Sequence, residues 1–463
     1  MTIDHNFFKE RQKFYLHFDY PISSEKIFTY VTNPQNIEKH AFYPFMHFEL
    51  CSQKIKKNGF KIVNGKKIPV IEKQKKKIRP IKYSSHIDGH IYAYYAYLMS
   101  EDYEKLLLNK GISESILAFR KLPNSPSNIH FAKDVFDEIK HRQNCSVLCI
   151  DIKSFFDELD HQLLKQVWQN VLGLEKLPND HYKVYKSITN FSYVNKKNVY
   201  QNLGLSINRN HKKLKCLCSS FEFREKVRNG KIIQRHSESK GIPQGSAISA
   251  FLSNIYMIDF DEKINNKMKK IDGKYYRYCD DILIICNKED LLNLLKDVQV
   301  FINKLKLAIH PEKTQIIHFE NGEIIDSKEK LQYLGFTFDG NQILLRDAGL
   351  AKYSHKVMKA IKMSNKHFLK INIARIKRSE LPLERYKKHI YRRFSFIGSR
   401  NYISYALRAA RIMNEAAIKK QIKPHWKKIQ LHLAKHENNN FIYQYSEWST
   451  EINRTKSQKK PII

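Results

Sequence analysis

Residues 278–286 read Tyr-Cys-Asp-Asp-Ile-Leu-Ile-Ile-Cys, so that two carboxylates stand directly before a short apolar run rich in isoleucine. A run of this kind, bounded by polar residues, is typical of a buried strand. A second one, Ser-Val-Leu-Cys-Ile-Asp-Ile at residues 146–152, also carries an aspartate at its edge. Carboxylates rarely lie in such positions without a partner or a metal ion. The two stretches therefore indicate a site at which acidic side chains are gathered.

A loop rich in glycine lies between these strands, where residues 241–249 read Gly-Ile-Pro-Gln-Gly-Ser-Ala-Ile-Ser. Its Gly and Pro residues predict a turn, and the apolar spacing of residues 251–256 predicts a helix directly after it. The predicted order is thus strand, helix, strand. Upstream, residues 88–108 are predicted to be helical, and the basic residues 73–82 to form a strand or loop because they contain a proline.

The acidic residues suit nucleotidyl transfer, which needs two metal ions roughly 3.5–4 Å apart to activate a 3′-hydroxyl and to neutralise a triphosphate. Asp151 at the end of one strand, with Asp280 and Asp281 at the tip of a hairpin, fits this need, and magnesium prefers oxygen ligands. Neighbouring side chains on a strand point to opposite faces, so Asp280 and Asp281 cannot both face the metal ions squarely. We expect Asp280 to have the primary role. In the alternative interpretation, Asp151 caps an element and the Asp pair is a solvated turn; this would be favoured for either motif alone.

Composition limits the classes of partner. Among 463 residues, 82 Lys and Arg outnumber 46 Asp and Glu, giving a formal net charge of +36. A polyanionic partner is expected. No segment approaches the ~20 apolar residues of a membrane span and no signal segment opens the chain, so nucleic acid and the cytoplasm are favoured over a membrane. The seven cysteines indicate reduced thiols, and Cys216, Cys218 and His211 lack the second ligand pair of a zinc site.

The C-terminal part of the chain is predicted to be helical and basic. Residues 331–338 predict a hairpin strand closed by Asp339 and Gly340, and long helical patterns follow. Between residues 352 and 393 there are fourteen Lys and Arg but only two Glu. Because such an imbalance causes self-repulsion unless an anion relieves it, we expect contact with a phosphate backbone, although a solvated face is the simpler alternative.

Five segments in this order resemble the palm motifs of prokaryotic reverse transcriptases, namely residues 150–161, 241–246, 278–281, 307–313 and 333–335. Residues 77–81 and 118–120 also resemble the fingers blocks of group II intron and retron relatives. The resemblance covers roughly residues 73–340. It implies an α+β right-hand polymerase, with fingers and palm built from an antiparallel sheet plus helices, and an α-helical thumb.

The resemblance also implies a division of the chain. Residues 1–70 would be an N-terminal extension, and residues 71–340 would form the fingers and palm, with an elaborated segment at about 162–240. Residues 341–440 would be the basic helical thumb, and residues 441–463 a C-terminal tail.

The family likeness assigns catalytic roles to several residues. Two Mg²⁺ ions, with Mn²⁺ as a candidate substitute, would be held by Asp151, Ile152, Asp280 and Asp281. Lys313 lies where family members place a lysine thought to protonate the leaving pyrophosphate, although a plain surface lysine is an alternative. Cys279 departs from the alanine of many intron and retron enzymes.

Substrate contacts follow from the same likeness. Phe156, five residues after Asp151, would be the steric gate that excludes a ribose 2′-hydroxyl and so selects deoxynucleotides, unless its ring is merely part of the core. Gln244 and Gly245 would approach the incoming nucleotide. The triphosphate clamp would draw on Lys77, Arg79 and Arg120, and the primer grip would be formed by Tyr333, Leu334 and Gly335.

The long spacer before the Gly241 loop most resembles the bacterial defence-associated reverse transcriptases. The implied partners are a noncoding RNA template, deoxynucleoside triphosphates, an RNA–DNA heteroduplex product, and either a second defence protein or further copies of the chain. Three alternatives stay open. They are a retron- or intron-type enzyme without a defence role, a template-independent terminal transferase, and a non-catalytic RNA-binding protein.

Overall fold

A computed structural model describes residues 3–53, 55–63, 65–208, 211, 214–325 and 329–438. The chain divides into two compact units. The first unit comprises Met1–Arg120 with Leu148–Thr314, and the second comprises Lys121–Val147 with Gln315–Ile463. These borders fall at neither residue 70 nor residue 340, where the sequence suggested boundaries.

The α-helices and strands alternate irregularly along the chain, as in an α+β protein, which confirms the predicted fold class. The helices are α1 His5–Glu10, α2 Ser24–Val31, α3 Pro34–Lys39, α4 His86–Asn109, α5 Asn128–Arg142, α6 Phe155–Glu158, α7 His161–Leu172, α8 Asn179–Thr189, α9 Lys196–Asn202, α10 Ser220–Glu222, α11 Ser249–Tyr256, α12 Ile258–Lys270, α13 Leu291–Lys304, α14 Asp347–Lys377, α15 Lys388–Phe394, α16 Tyr402–Ile412 and α17 Ala416–Asn438. The strands are β1 Phe45–Ser52, β2 Ile55–Val63, β3 Lys66–Lys73, β4 Lys77–Tyr83, β5 Cys145–Asp151, β6 Ser192–Asn195, β7 Ile233–Arg235, β8 Lys274–Tyr278, β9 Asp281–Cys286, β10 Gln315–Glu320, β11 Glu323–Ile325, β12 Leu331–Tyr333, β13 Phe336–Phe338 and β14 Ile343–Leu345.

The two apolar runs that carry aspartates are strands, as predicted. In the first unit β9 lies between β5 and β8, and β8 pairs with β9 in antiparallel register. All five residues of β9 after Asp281 are buried, which explains why the run is apolar on both faces. Asp151 is the last residue of β5. This sheet therefore presents its acidic residues at strand ends.

The predicted loop and helix between these strands are also confirmed, because α11 begins directly after the glycine-rich loop. Both loop glycines have positive φ, +88° at Gly241 and +120° at Gly245. A Cβ atom at Gly241 would lie 2.9 Å from the carbonyl oxygen of Asp157, and one at Gly245 would lie 2.9 Å from that of Lys82. Only glycine fits both the conformation and the close approach.

The first unit also contains a second sheet, the β2–β3 hairpin and a large hydrophobic core. The sheet has the order β4-β1-β6-β7, with β1 antiparallel to β4 and parallel to β6. Helix α4 has the predicted position, and its buried face packs in a core that also takes side chains from α1 to α3. The residues before position 71 thus share the core and a sheet of the first unit.

The second unit contains the strand pair β10–β11, a three-stranded sheet and the C-terminal helices. Strand β10 pairs with β11, and β12, β13 and β14 form an antiparallel sheet. The prediction of one strand over residues 331–338 is wrong, because Leu334 and Gly335 form a turn that divides it into β12 and β13. The predicted turn at Asp339 and Gly340 does exist, between β13 and β14. Helices α14 to α17 fall in the predicted thumb.

Composition led to two expectations, one about membrane-spanning segments and one about the cysteine thiols. No helix in the described part of the chain is long and apolar enough to cross a membrane. The seven cysteines, which all lie in the described residues, form no disulfide bond, and the Cys216 thiol donates to the carbonyl of Cys218 at 3.0 Å. His211 instead contacts the carbonyl of Ser206 at 2.8 Å.

Candidate active site

The hairpin between β8 and β9 has a turn of only two residues. Tyr278 and Asp281 are paired across the strands, so Cys279 and Asp280 form the turn. Cys279 has a φ of +61°, whereas Asp280 is not among the residues with positive φ. A positive φ at the first turn position alone is typical of a type II′ turn, where glycine is the usual residue. Asp280 is thereby held at the tip of the hairpin, as the sequence predicted.

The end of β5 lies beside this turn. The backbone N–H of Ile152 donates to the carbonyl of Asp280 at 3.4 Å, and the N–H of His310 donates to the carbonyl of Asp151 at 2.8 Å. Asp281 is close enough to Cys149 to raise the pKa of that thiol; burial is the larger cause, and together they raise it to about 12. Because Cys149 and Asp151 share one face of β5, the three aspartates belong to one site.

Three cations surround these carboxylates. The Lys313 ammonium donates to Oδ2 of Asp151, and this lysine precedes β10 in a short 3₁₀ turn. Lys77 and Arg79 occupy alternate, exposed positions on β4 and therefore share a face. Burial, Arg79 and Lys313 lower the pKa of Lys77, while Asp151 and Asp280 oppose the shift. Lys77 is thus close enough to Asp151 and Asp280 for both carboxylates to influence its pKa.

The donor set at this site fits a hard divalent cation. Carboxylate oxygens are the ligands that magnesium prefers, and the ammonium of Lys313 already contacts one of them. Within the part of the chain that the structure describes, no group of three or more His, Cys, Asp or Glu side chains has converged into a metal cage. Magnesium commonly keeps several water molecules and uses one or two carboxylates plus substrate phosphates, so an open site suits it. Ile152 has a buried apolar side chain and offers only its backbone.

Comparison with known proteins identifies the family. Residues 55–338 match the family model described as reverse transcriptase (RNA-dependent DNA polymerase). This chain belongs to the reverse transcriptase family. The match includes Asp151, Asp280 and Asp281, together with the loop between them.

Two retron reverse transcriptases and a group II intron-encoded protein are similar over part of the chain. The retron Se72 reverse transcriptase of Salmonella heidelberg is 30% identical over 98 residues, which are 20% of this chain and 24% of that protein. The retron Ec83 reverse transcriptase of Escherichia coli is 26% identical over 202 residues, 43% of this chain and 47% of that protein. The group II intron-encoded protein LtrA of Lactococcus lactis is 26% identical over 188 residues, 27% and 29% respectively. The matches therefore span less than half the length of these relatives, and they confirm the kinship with retron and intron enzymes.

Solved structures of telomerase are distant neighbours. Apo telomerase from Candida tropicalis matches 58% of this chain and 46% of that chain, with 16% identity and a TM-score of 0.34. Telomerase from Candida albicans in complex with a fragment of telomeric RNA matches 77% and 49%, with 12% identity and a TM-score of 0.37. The family assignment rests on the match over residues 55–338.

Hydrogen bonds join Phe156 to the glycine-rich loop and that loop to β4. The N–H of Ile242 donates to the carbonyl of Phe156 at 2.9 Å, and the N–H of Lys82 donates to the carbonyl of Gln244 at 2.9 Å. The two phenylalanines after Ser154 lie in the short helix α6. Phe155 is buried, whereas the ring of Phe156 is only partly buried against the core. Phe156 therefore keeps an accessible edge.

Arg120 does not have the surroundings of a triphosphate ligand. Its guanidinium donates to both carboxylate oxygens of Glu104, at 2.9 and 2.5 Å, and to the carbonyls of Ser113 and Ile116. Only 2% of its side chain is exposed. These contacts contradict the prediction that Arg120 joins the clamp, because its donors already stabilise the turn after α4.

The predicted primer grip is a hairpin of the second unit. Leu334 and Gly335 are its two turn residues, with φ of +44° and +94°. The side-chain amide of Asn128 donates to the carbonyl of Leu334 at 3.0 Å, and the N–H of Arg346 donates to that of Gly335 at 3.0 Å. The grip role itself stays a prediction.

Sequence reasoning missed Arg277, whose side chain is fully buried next to the turn at Cys279 and Asp280. A signal was present, because Arg277 shares the inward face of β8 with Tyr275. A charged residue in such a position requires a buried partner. The structure identifies that partner as Asp261.

Proposed function

We propose that the chain is an RNA-directed DNA polymerase that extends a primer by nucleotidyl transfer. The observation that carries the proposal is the adjacency of the Asp151 strand end and the Asp280 turn, with Lys77, Arg79 and Lys313 around them. Carboxylates for a metal and cations for a triphosphate are the two donor sets that this reaction requires. Family membership supports the same activity.

Asp151, Asp280 and Asp281 would hold the magnesium ions. When bound, two such ions activate the primer 3′-hydroxyl and neutralise the triphosphate. The 3′-hydroxyl would lose its proton to solvent, and its oxygen would form a bond to the α-phosphorus while the bond to pyrophosphate breaks. Lys77 and Arg79 would bind the triphosphate oxygens through their shared face of β4. Lys313, released from Asp151, would donate a proton to the departing pyrophosphate.

Phe156 would select the sugar. Phe156 lies in the short helix α6, shortly after Asp151 in the chain. Its backbone carbonyl accepts a hydrogen bond from the loop that carries Gln244 and Gly245. A ring fixed in that place would clash with a 2′-hydroxyl and leave deoxynucleotides unhindered. Phe156→Ala should therefore raise the ratio of ribonucleotide to deoxynucleotide incorporation by at least about tenfold, a difference of about 1.4 kcal/mol between the two transition states.

Helix α14 supports nucleic-acid binding by the second unit. Its exposed lysines recur at intervals of three or four residues along one face, at positions 352, 356, 359, 362, 366 and 370. The opposite face buries Tyr353, Val357 and Ile361. A lysine stripe of this kind fits a phosphate backbone, such as that of an RNA–DNA heteroduplex. Binding should consequently weaken steeply as salt concentration rises.

The biological setting follows from the sequence resemblance alone. We propose a cytoplasmic enzyme that copies a dedicated noncoding RNA in bacterial antiphage defence, together with a second protein or further copies of the chain. Expression of the chain with its flanking genes should protect bacteria against phage, and Asp280→Ala should abolish protection. Equal plaque numbers with and without the wild-type genes would contradict the defence role and favour the alternative of a retron- or intron-type enzyme.

The test of the activity is extension of a labelled primer on an RNA template in Mg²⁺, with deoxynucleotides and ribonucleotides offered separately. We expect DNA products that follow the template sequence and disappear in Asp280→Ala. Asp259→Asn, an exposed carboxylate on α12, is the matched control and should retain activity. Extension that ignores the template would indicate a terminal transferase. RNA binding without any product, also after addition of co-purified RNA, would indicate a non-catalytic RNA-binding protein.

A further inference from the structure

Arg277 is the largest charged side chain that the structure buries completely, and it directly precedes the catalytic hairpin. Its Nε and Nη2 atoms donate to the two carboxylate oxygens of Asp261 on α12, at 2.7 and 2.6 Å. The hydroxyl of Tyr275 donates to the same carboxylate at 2.6 Å. Both charges are therefore fully paired away from water, which is the condition under which a buried ion pair persists.

The remaining nitrogen of the guanidinium connects this pair to the turn. Nη1 donates to the side-chain oxygen of Asn254 at 3.1 Å and to the carbonyl oxygen of Cys279 at 3.2 Å. Asn254 lies on α11, which follows the glycine-rich loop, and its amide donates to the carbonyl of Ala118 at 2.8 Å. Arg277 thus joins two helices to the backbone of the catalytic turn.

The carbonyl of Cys279 is an unusual acceptor because of the conformation of its residue. Cys279 has a φ of +61° at a position where type II′ turns place glycine. For a residue with a side chain this conformation is unfavourable, and it persists only where the surroundings hold it. The Nη1–carbonyl hydrogen bond is a direct restraint on the peptide that leads into Asp280.

We propose that Arg277 is a positioning residue that fixes the Cys279–Asp280 peptide so that the Asp280 carboxylate faces its metal ion. The inference rests on the proposed polymerase function and adds a residue to it. Arg277 touches neither substrate nor metal in this role. It acts through the turn, and Asp261 and Asn254 hold its guanidinium in place.

Arginine is suited to this role, and lysine is not. A guanidinium has five N–H donors in a planar fork, four of which are used here, whereas an ammonium has three donors around one atom. Burial alone would lower the pKa of Arg277, but the Asp261 carboxylate raises it, so the side chain stays charged. An ion pair that only stabilised the fold would not need to donate a hydrogen bond to the carbonyl of Cys279.

The test compares Arg277→Lys with a variant that damages the same region without touching the turn. Ile264→Ala is the matched control, because Ile264 is fully buried on the helix that carries Asp261. Both should lower the melting temperature. At equal folded fraction, Arg277→Lys should lower kcat by about 10- to 100-fold with KM for deoxynucleotide within about twofold, as for residues that orient metal ligands. Ile264→Ala should leave kcat within about twofold.

A second readout does not depend on activity. Binding of Mn²⁺, followed by the electron paramagnetic resonance signal of the free ion, should require about 10-fold more Mn²⁺ in Arg277→Lys and be unchanged in Ile264→Ala. Equal Mn²⁺ binding by all three proteins, with activity that follows only the folded fraction, would overturn the proposal. A wild type that binds Mn²⁺ but makes no DNA would instead refute the polymerase function while leaving the positioning role testable by Mn²⁺.

If Arg277→Lys does not fold, Asn254→Ala replaces it. This variant keeps the Arg277–Asp261 pair and removes one of the two side chains that hold the guanidinium. We expect the same pattern in a milder form, with kcat several-fold lower, KM unchanged and weaker Mn²⁺ binding. An Asn254→Ala protein with normal Mn²⁺ binding and normal kcat would contradict the proposal.

Discussion

Two hairpins of this chain have turns of the same length but are held in different ways. The turn at Cys279 and Asp280 contains no glycine, and a fully buried guanidinium donates to its backbone. The turn at Leu334 and Gly335 has a glycine at its second position, and the neutral amide of Asn128 donates to it. A buried charged group therefore holds the turn that presents a carboxylate. A neutral amide holds the other turn, in which Leu334 has a φ of +44° and glycine takes the φ of +94°.

The largest effect should follow from replacing the carboxylate that the turn at Cys279 and Asp280 presents. Asp280→Asn keeps the size of the side chain but removes the charge that a divalent cation requires. We expect primer extension to fall by at least about 10³-fold, which corresponds to about 4 kcal/mol of transition-state stabilisation. Single-turnover extension on an RNA template measures this, with Asp259→Asn as the control. Residual activity within tenfold of wild type would show that Asp280 is not a metal ligand.

The second hairpin should be broken by a Cβ atom at its turn. Gly335→Ala forces alanine to a φ of +94° and should cost about 1–2 kcal/mol of stability. Gly322→Ala is a close control, because Gly322 has a φ of +79° in the two-residue turn between β10 and β11 and also has open space around it. If residues 333–335 grip the primer, Gly335→Ala alone should raise KM for primer–template several-fold. Equal KM values in both variants would remove the grip role.

Acid should weaken the first unit through a buried histidine. Burial lowers the pKa of His17 from its usual 6.5 to about 4, and the nearby Asp19 only partly opposes this. Between about pH 6.5 and pH 4 the unfolded chain therefore binds a proton that the folded chain does not. The free energy of unfolding should therefore decrease as the pH is lowered through this window, by up to about 1.4 kcal/mol per pH unit for this one group.

His17→Phe should flatten this dependence, because the replacement ring has no nitrogen that can take up a proton. The measurement is the melting temperature at about pH 7 and about pH 5. His355→Asn, at an exposed position of α14, is the control. A His17→Phe protein that loses as much stability on acidification as wild type would contradict the assignment.

The smallest effect should come from the side chain of Cys279. The Arg277 hydrogen bond uses the carbonyl of this residue, which Cys279→Ala retains. Burial and the neighbouring Asp280 raise the pKa of the thiol to about 12, so it is neutral and supplies no charge to the site. Extension rates within about twofold of wild type are expected. A tenfold loss would mean that the thiol itself takes part.

The parts of the fold that were predictable have a local signal. Buried strands such as β5 and β9 and the helix α4 follow from runs and spacings of apolar residues, and the strand-end carboxylates follow from their place in those runs. The Arg277–Asp261 pair and the Arg120–Glu104 pair each join residues sixteen positions apart in sequence. Nothing local identifies such partners. The turn at Leu334 was missed for a different reason, because the residues on both sides of it continue one apolar pattern.

The most direct test of the central claim is a count of the metal ions that the carboxylates hold. The chain would be complexed with an RNA template, a primer that ends in a dideoxynucleotide and the next complementary deoxynucleoside triphosphate, and then titrated with Mn²⁺. We predict two tightly bound ions per wild-type complex and fewer in Asp280→Asn. The same number of ions in both complexes would contradict the assignment of Asp280 and the hairpin that presents it.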